Sequence, residues 1–261
     1  MVSGNALGSS LVNRAVDAVY VVSVKTFTER IAHMQAELGR HGIAFEFMFD
    51  HDATDLDPEM VARTFEGDGL GRGAQSLVLK TIAIWRKALE RGQARILILE
   101  DDALLDERFA ERFCVAINAA RALPPGWLLF LGGHDTKVPD RFFLAPGPLV
   151  ELPIATAEGY VCDAEALRRR LAWLAEHRVS LALDHFMRQV DPGLGIRQFW
   201  LTRPIVQQGS VVGLFDSALD QHRLKHGRTY NILRNRWNKL QRHTLRGAWV
   251  RLKSLFGVLP P

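Results

Sequence analysis

Two cysteines in 261 residues, Cys114 and Cys162, are too few and too far apart for a disulfide framework, a zinc site or a thioredoxin-like pair. They read as free thiols in a reducing compartment. The opening M-V-S-G-N-A-L-G-S-S has no basic segment leading into an apolar run, so no secretory leader is expected. No stretch reaches the roughly 18 uninterrupted apolar residues that a membrane span needs. These absences together point to a protein made and kept in the cytoplasm. Internal repeats and low-complexity segments are also missing.

One absence is local. From Gln221 to the end there is no Asp or Glu, while ten of the chain's 33 Lys+Arg lie there. All 29 acids therefore sit in residues 1–220, where they outnumber the bases. An acidic body joined to a basic tail is expected, divided as 1–220 and 221–261.

What is present is an ordinary soluble composition, 48% hydrophobic and 24% charged, enough for a real core. The valine-rich run from Val16 to Lys25 reads as a buried strand and Thr28 to Arg40 as a helix. The run from Ile43 to Phe49 is a second strand, and Pro58 suits the first turn of a short helix. Val78, Ile82, Trp85 and Leu89 fall on one face of a helix from about Ala74 to Arg91. Strands follow at Arg95, at Gly126–Gly132, at Thr156–Cys162 and at Ile196–Leu201. Helices are expected over Asp106–Arg121 and Ala164–Glu176, and residues 203–210 read as a loop. The glycines of 67–73 form no phosphate-binding motif. Alternating strands and helices predict an open α/β sheet whose site lies beyond the strand ends. Three strands end in polar or special residues: at Ser23–Lys25, at Glu100–Asp102 and at Gly132-Gly-His-Asp135.

The second of these ends is the informative one. The stretch Arg95-Ile-Leu-Ile-Leu-Glu-Asp-Asp-Ala103 carries a greasy strand straight into three acids, which repel one another unless a cation, a proton or solvent offsets them. One reading is a solvated turn whose acids cap the next helix. A phosphoacceptor receiver domain is a second, but there the acidic pair lies near the N-terminus, not a hundred residues in. A third is a nucleotide-sugar transferase, in which strand-end carboxylates and a divalent ion hold a diphosphate.

Further pieces, in order, sharpen the choice. Val19-Tyr-Val-Val-Ser-Val-Lys25 with Thr-Glu-Arg30, then Gly73 through Trp85-Arg-Lys-Ala-Leu-Glu90, then Ile96-Leu-Ile-Leu-Glu-Asp-Asp-Ala103 come first. Thr156-Ala-Glu-Gly-Tyr-Val-Cys-Asp-Ala-Glu-Ala-Leu167, Asp184-His185-Phe186 and Pro204-Ile-Val-Gln-Gln-Gly-Ser210 follow. From about Val19 to Leu219 this ordered set resembles glycosyltransferase family 25, the lipooligosaccharide-type sugar transferases. One departure stands out: where relatives show Ser-His in the helix before the acidic strand, this chain has Lys80-Thr81.

The resemblance implies a GT-A type, Rossmann-like α/β fold that binds a UDP-sugar with a divalent ion, manganese or magnesium. It implies inverting transfer of a hexose, galactose favoured, to a surface glycan such as lipooligosaccharide. Asp184 is then the expected catalytic base, its alternative being an N-cap. Asp102 is the first metal ligand, Glu100 a donor contact, and Asp101 a donor-side residue that orients its neighbours. Ser23, Arg30 and Gln208 are expected to line the donor site. His134 and His185 are candidates for the metal shell or the acceptor, set against ordinary structural hydrogen bonding. The departure at Lys80-Thr81 keeps open an alternative, a non-catalytic nucleotide-sugar or glycan binder that retains the fold.

In the tail, Leu245, Trp249, Leu252 and Phe256 recur at helical spacing among Arg242, Arg246, Arg251 and Lys253. That pattern fits an amphipathic helix lying on an anionic membrane, which would make the protein peripheral on the inner face of the cytoplasmic membrane. Its alternative is packing of the stripe against the acidic body or a partner chain. Nucleic acid is not expected as a partner, because the acidic body denies it a broad footprint.

Overall fold

The computed structural model describes residues 10–133, 136–215 and 228–256. Seven strands form one mixed sheet in the order β2-β1-β3-β7-β5-β8-β6. They are β1 (Ala18–Val22), β2 (Glu46–Met48), β3 (Arg95–Glu100), β5 (Trp127–Phe130), β6 (Leu149–Glu151), β7 (Gly159–Asp163) and β8 (Arg197–Leu201). A separate ribbon pairs β4 (Ala103–Leu105) with β9 (Val206–Gln208). The α/β architecture expected from the sequence is what the chain adopts.

Both faces of the sheet are covered, as the continuous apolar strands require. In β1, Tyr20 and Val22 join one core while Val19 and Val21 join the other. In β3 the split is Ile96 and Ile98 against Leu97 and Leu99. The first face is closed by α4 (Arg72–Glu90), α7 (Ala164–Glu176) and α8 (Leu183–Val190), which bring Val78, Ile82, Trp85, Leu167 and Phe186. The second is closed by α1 (Leu11–Ala15), α2 (Thr28–Arg40) and α5 (Phe109–Ala120), through Val12, Met34, Leu38, Phe113 and Ile117. Each fully buried aliphatic of this kind contributes about 1.5–3 kcal/mol. Local signals place the helix starts. Asp57 caps α3 (Pro58–Thr64), accepting from Glu59 N, and Asp163 caps α7, accepting from Ala166 N at 2.9 Å.

Two expectations are corrected. The segment read as a loop at 203–210 contains β9, and the helix after the acids begins at Phe109 rather than Asp106, because Asp106 Oδ1 accepts from Arg108 N at 2.9 Å and closes a turn after β4. Each partner is only three residues long, so neither carries a strand pattern alone; pairing over a hundred residues of separation supplies what local sequence lacks.

The basic tail forms α9 (Arg228–Lys239), a π-helical turn (Leu240–Leu245) and α10 (Arg246–Leu255). It packs on α6 (Arg141–Leu144), and Val250 joins the first core. No helix among the described residues is long and apolar enough to cross a membrane.

Candidate active site

β1 and β3 run parallel with Val22 opposite Glu100, so Ser23 and the three acids leave the sheet at one edge. β7 runs the other way and delivers Glu158 to the same edge, where Glu100 N donates to its carbonyl at 3.2 Å. β5, antiparallel to β7, ends there too, in Gly132-Gly133. A Cβ on Gly132 would meet the Glu158 carboxylate at 2.1 Å. Gly133 has φ +92°, and a Cβ there would meet Trp200 at 2.0 Å; its N–H donates to Glu158 Oε1 at 2.5 Å. The glycine pair therefore holds a fourth carboxylate beside the triplet.

Each acid has a distinct setting. Asp101 is committed: Ser23 Oγ donates to Oδ2 at 2.8 Å and Arg30 Nη1 reaches Oδ1 at 2.7 Å. Burial still holds its pKa above the usual range, against the pull of Arg30 and Ser23. Asp102 ties down the turn after β9, its Oδ2 accepting from Ser210 N at 2.9 Å and its carbonyl from Gly209 N at 2.7 Å. Its Oδ1 is buried with no partner. Glu100 accepts from Gln208 Nε2 at 3.0 Å. Burial first, then Asp102, Glu158 and Asp101, push its pKa well above the normal carboxylate value.

Two adjoining cavities open here. One, of about 370 Å³, is lined by Ser23, Arg30, Glu100, Asp101, Asp102 and Gln208 together with Asp52 and Lys80. The other, of about 500 Å³, shares Leu77, Glu100 and Gln208 with it and adds Glu158 and Asp184. The structure thus brings together all the expected donor-side residues and sets Asp184 next door. Asp184 is not an N-cap: α8 is preceded by Ala182, and Asp184 lies in the first turn with Oδ1 accepting from His185 N at 2.9 Å. His185 is exposed, lies 3.0 Å from Arg188 Nη2 and lines neither cavity. His134 lies outside the described residues. Arg30 touches Asp101 and stacks over Phe27 and Phe215, each at 5.3 Å, so it shapes the site through Asp101.

Lys80, the residue in the departing position, is buried and bonded to Asp52 Oδ1 at 2.6 Å and to the Asp50 carbonyl at 2.8 Å. Asp52 Oδ2 also accepts from Lys25 N at 3.0 Å. Burial lowers the Lys80 pKa, with Asp52 opposing. Sequence reasoning missed Asp52 and Glu158. Asp52 sits in a polar run that looks like any loop. Glu158 follows from its position only once β7 is known to run antiparallel.

No group of three His, Cys, Asp or Glu is disposed to hold a metal among the described residues. The donors fit a divalent ion all the same, in the manner of sites that borrow ligands from substrate phosphates: one orphaned, buried carboxylate oxygen beside a crowded second carboxylate.

The model of glycosyltransferase family 25, described as an LPS biosynthesis protein, matches residues 16–129, from β1 through β5. A lacto-N-neotetraose biosynthesis glycosyltransferase, LgtE of Neisseria gonorrhoeae, is 24% identical over 82% of this chain and 85% of its own length. From β1 through β5 the chain is similar to glycosyltransferase family 25. Its match to a second lacto-N-neotetraose biosynthesis glycosyltransferase, LgtB of Neisseria meningitidis, is 30% identical over 36% of this chain and spans about a third (35%) of that relative's length. A mouse protein named inactive glycosyltransferase 25 family member 3 is 23% identical over 66% of this chain and 31% of its own. Among solved structures, a glycosyltransferase involved in glycosylation of the major capsid of PBCV-1 superposes with TM-score 0.43 and 10% identity, over 84% of this chain and 99% of that one.

Proposed function

We propose that this chain is a family 25 glycosyltransferase that transfers a hexose, galactose favoured, from a UDP-sugar to a hydroxyl of a surface glycan such as lipooligosaccharide, with inversion and with a divalent cation, manganese or magnesium. The observation that carries the reading is the orphaned Asp102 Oδ1 beside the crowded Glu100, in a cavity that continues to Asp184.

In this reading Asp102, with Glu100 beside it, would hold the cation that accompanies the donor. Bound there, a divalent ion would neutralise the diphosphate and favour its departure. The chain's own residues do the rest. Ser23 and Arg30 fix Asp101, and Asp101 keeps the β3 end in place under the donor. Gln208 donates to Glu100 and keeps β9 against the site. Asp102 also latches Gly209 and Ser210, so filling the cavity and ordering the turn after β9 are linked. Asp184, with one oxygen held by His185 N, takes the acceptor proton at the other as the new bond forms. Leu77, Ala155, Leu183 and Val212 line the acceptor side and limit water there.

The test is a thermal melt with UDP-galactose or UDP-glucose and manganese, followed by transfer to a lipooligosaccharide acceptor. Both a raised melting temperature and product are expected; no shift with any UDP-hexose sinks the donor assignment.

A non-catalytic nucleotide-sugar or glycan binder is the second reading. Lys80 at the departing position favours it, as does the likeness to a mouse relative whose name calls it inactive. Donor turnover with and without Asp184→Ala separates the two: equal, absent turnover supports the binder.

A further inference from the structure

α10 is fixed to the body by one face only. A Cβ on Gly247 would meet the Phe143 ring at 2.9 Å, and Val250 is buried in the core. Arg246 donates to the Val138 carbonyl at 2.5 Å and pairs with Asp140, and His243 Nε2 lies 2.8 Å from the Thr136 carbonyl. The opposite face carries Leu245, Trp249, Leu252 and Phe256, 45–74% exposed. The apolar stripe therefore faces outward, against the alternative that it packs on the acidic body, and the other side of the helix does the packing. α9 repeats the pattern with Tyr230, Leu233, Trp237 and Leu240, 42–60% exposed. Of twelve large hydrophobic side chains exposed among the described residues, nine lie on this tail, so the exposure is concentrated rather than scattered.

Charge marks the same face. Arg234, Arg236 and Arg251 are exposed beside the stripe, in a segment without a single acid. A groove of about 860 Å³ runs alongside it, between α5, the end of β8 and the tail, and Arg203, Lys239 and Arg251 border its apolar floor of Phe142 and Phe143.

We propose that α9 and α10 form the docking face for an anionic lipid bilayer. The Trp and Leu side chains enter the boundary between headgroups and acyl chains, and the flanking arginines meet lipid phosphates. A second copy meeting this face with its own would set the exposed Arg234, Arg236 and Arg251 against the same three arginines. A nucleic acid would have to cover exposed Leu233, Leu240, Leu245, Leu252 and Leu255, which offer its phosphates no partner. Asn235 on α9 lines the Asp184 cavity, and Thr136, held by His243, lines it too. Docking therefore sets that cavity beside the membrane. The lipid inference stands whether or not the chain transfers sugar.

The test is co-sedimentation of the full chain with phosphatidylglycerol-containing vesicles and with phosphatidylcholine vesicles, at low and high salt. Binding to the anionic vesicles at least about tenfold stronger, and weakened by salt, is expected. The triple variant Trp249→Ser, Leu252→Ser, Phe256→Ser should melt like wild type and lose about tenfold or more of that binding. Equal binding to both vesicles, or full binding by the triple variant, overturns the proposal. So does concentration-dependent self-association, or binding to a nucleic acid, without vesicle binding.

Discussion

Buried charge is handled in opposite ways in two regions of this molecule. In the core under α7, Arg170 and Asp191 are both fully buried and meet through two bonds, Nε to Oδ1 at 2.8 Å and Nη2 to Oδ2 at 2.6 Å. Gln198 adds a donor to Asp191 at 2.8 Å, and the guanidinium lies 4.9 Å from the Trp85 ring centroid. At the end of β3, Glu100 and Asp102 are met by neutral donors, the Gln208 amide and the Ser210 N–H, and one oxygen of Asp102 is met by none. A carboxylate that only holds the fold together receives its cation within the chain. On the function proposed above, the one left short of a cation at a cavity would receive it with the ligand.

Breaking the Arg170–Asp191 pair should have the largest effect. Arg170→Met leaves Asp191 buried without its cation and should cost about 3–5 kcal/mol in urea unfolding. A cost near zero would mean that the two regions do not differ as described. Asp102→Asn should do the reverse: unfolding close to wild type, but no melting shift from UDP-hexose with manganese, and transfer down about 100-fold or more. Retention of the manganese-dependent shift would remove Asp102 from cation binding.

Lys80→Met tests an intermediate case, a buried pair at the cavity wall. Asp52 keeps the Lys25 N–H, so the loss should be smaller, about 1–3 kcal/mol. A cost matching that of Arg170→Met would make Lys80 a core residue like the other.

The smallest effect concerns pH. Between the ordinary Glu100 value of 4.5 and its raised value in the fold, the native state holds a proton that the unfolded chain has lost. Stability without ligand should therefore fall as pH rises through that window. Glu100→Gln should flatten the slope and raise the melting temperature at neutral pH by roughly 2–4 °C. An unchanged slope would show that Glu100 is not the crowded acid.

Much of this was legible in the residues. Thr28–Arg40 and Ala164–Glu176 form helices over the residues expected of them, the second capped by Asp163, because a helix is closed by neighbours three and four residues away. The triplet at the end of β3 could be read as a site because a strand that apolar must end at an edge of the sheet. β4 and β9 were not legible, since each is three residues long and exists through the other. The roles within the triplet were also beyond reach, because they depend on partners far away: Arg30 for Asp101, Ser210 for Asp102 and Gln208 for Glu100.

By itself, the sequence determined the α/β class, the strand-end acids, the family pieces in their order and a basic tail with an apolar stripe. These rest on periodicity, composition and local spacing. Only the tertiary structure decided that Glu158 joins the acids, since that required β7 to run against its neighbours. It also decided that Lys80 answers Asp52, and that the tail turns its tryptophans outward while Gly247 and Val250 take the packed face. Which side of a helix is buried depends on the surface it meets, and that surface is assembled from segments a hundred residues apart.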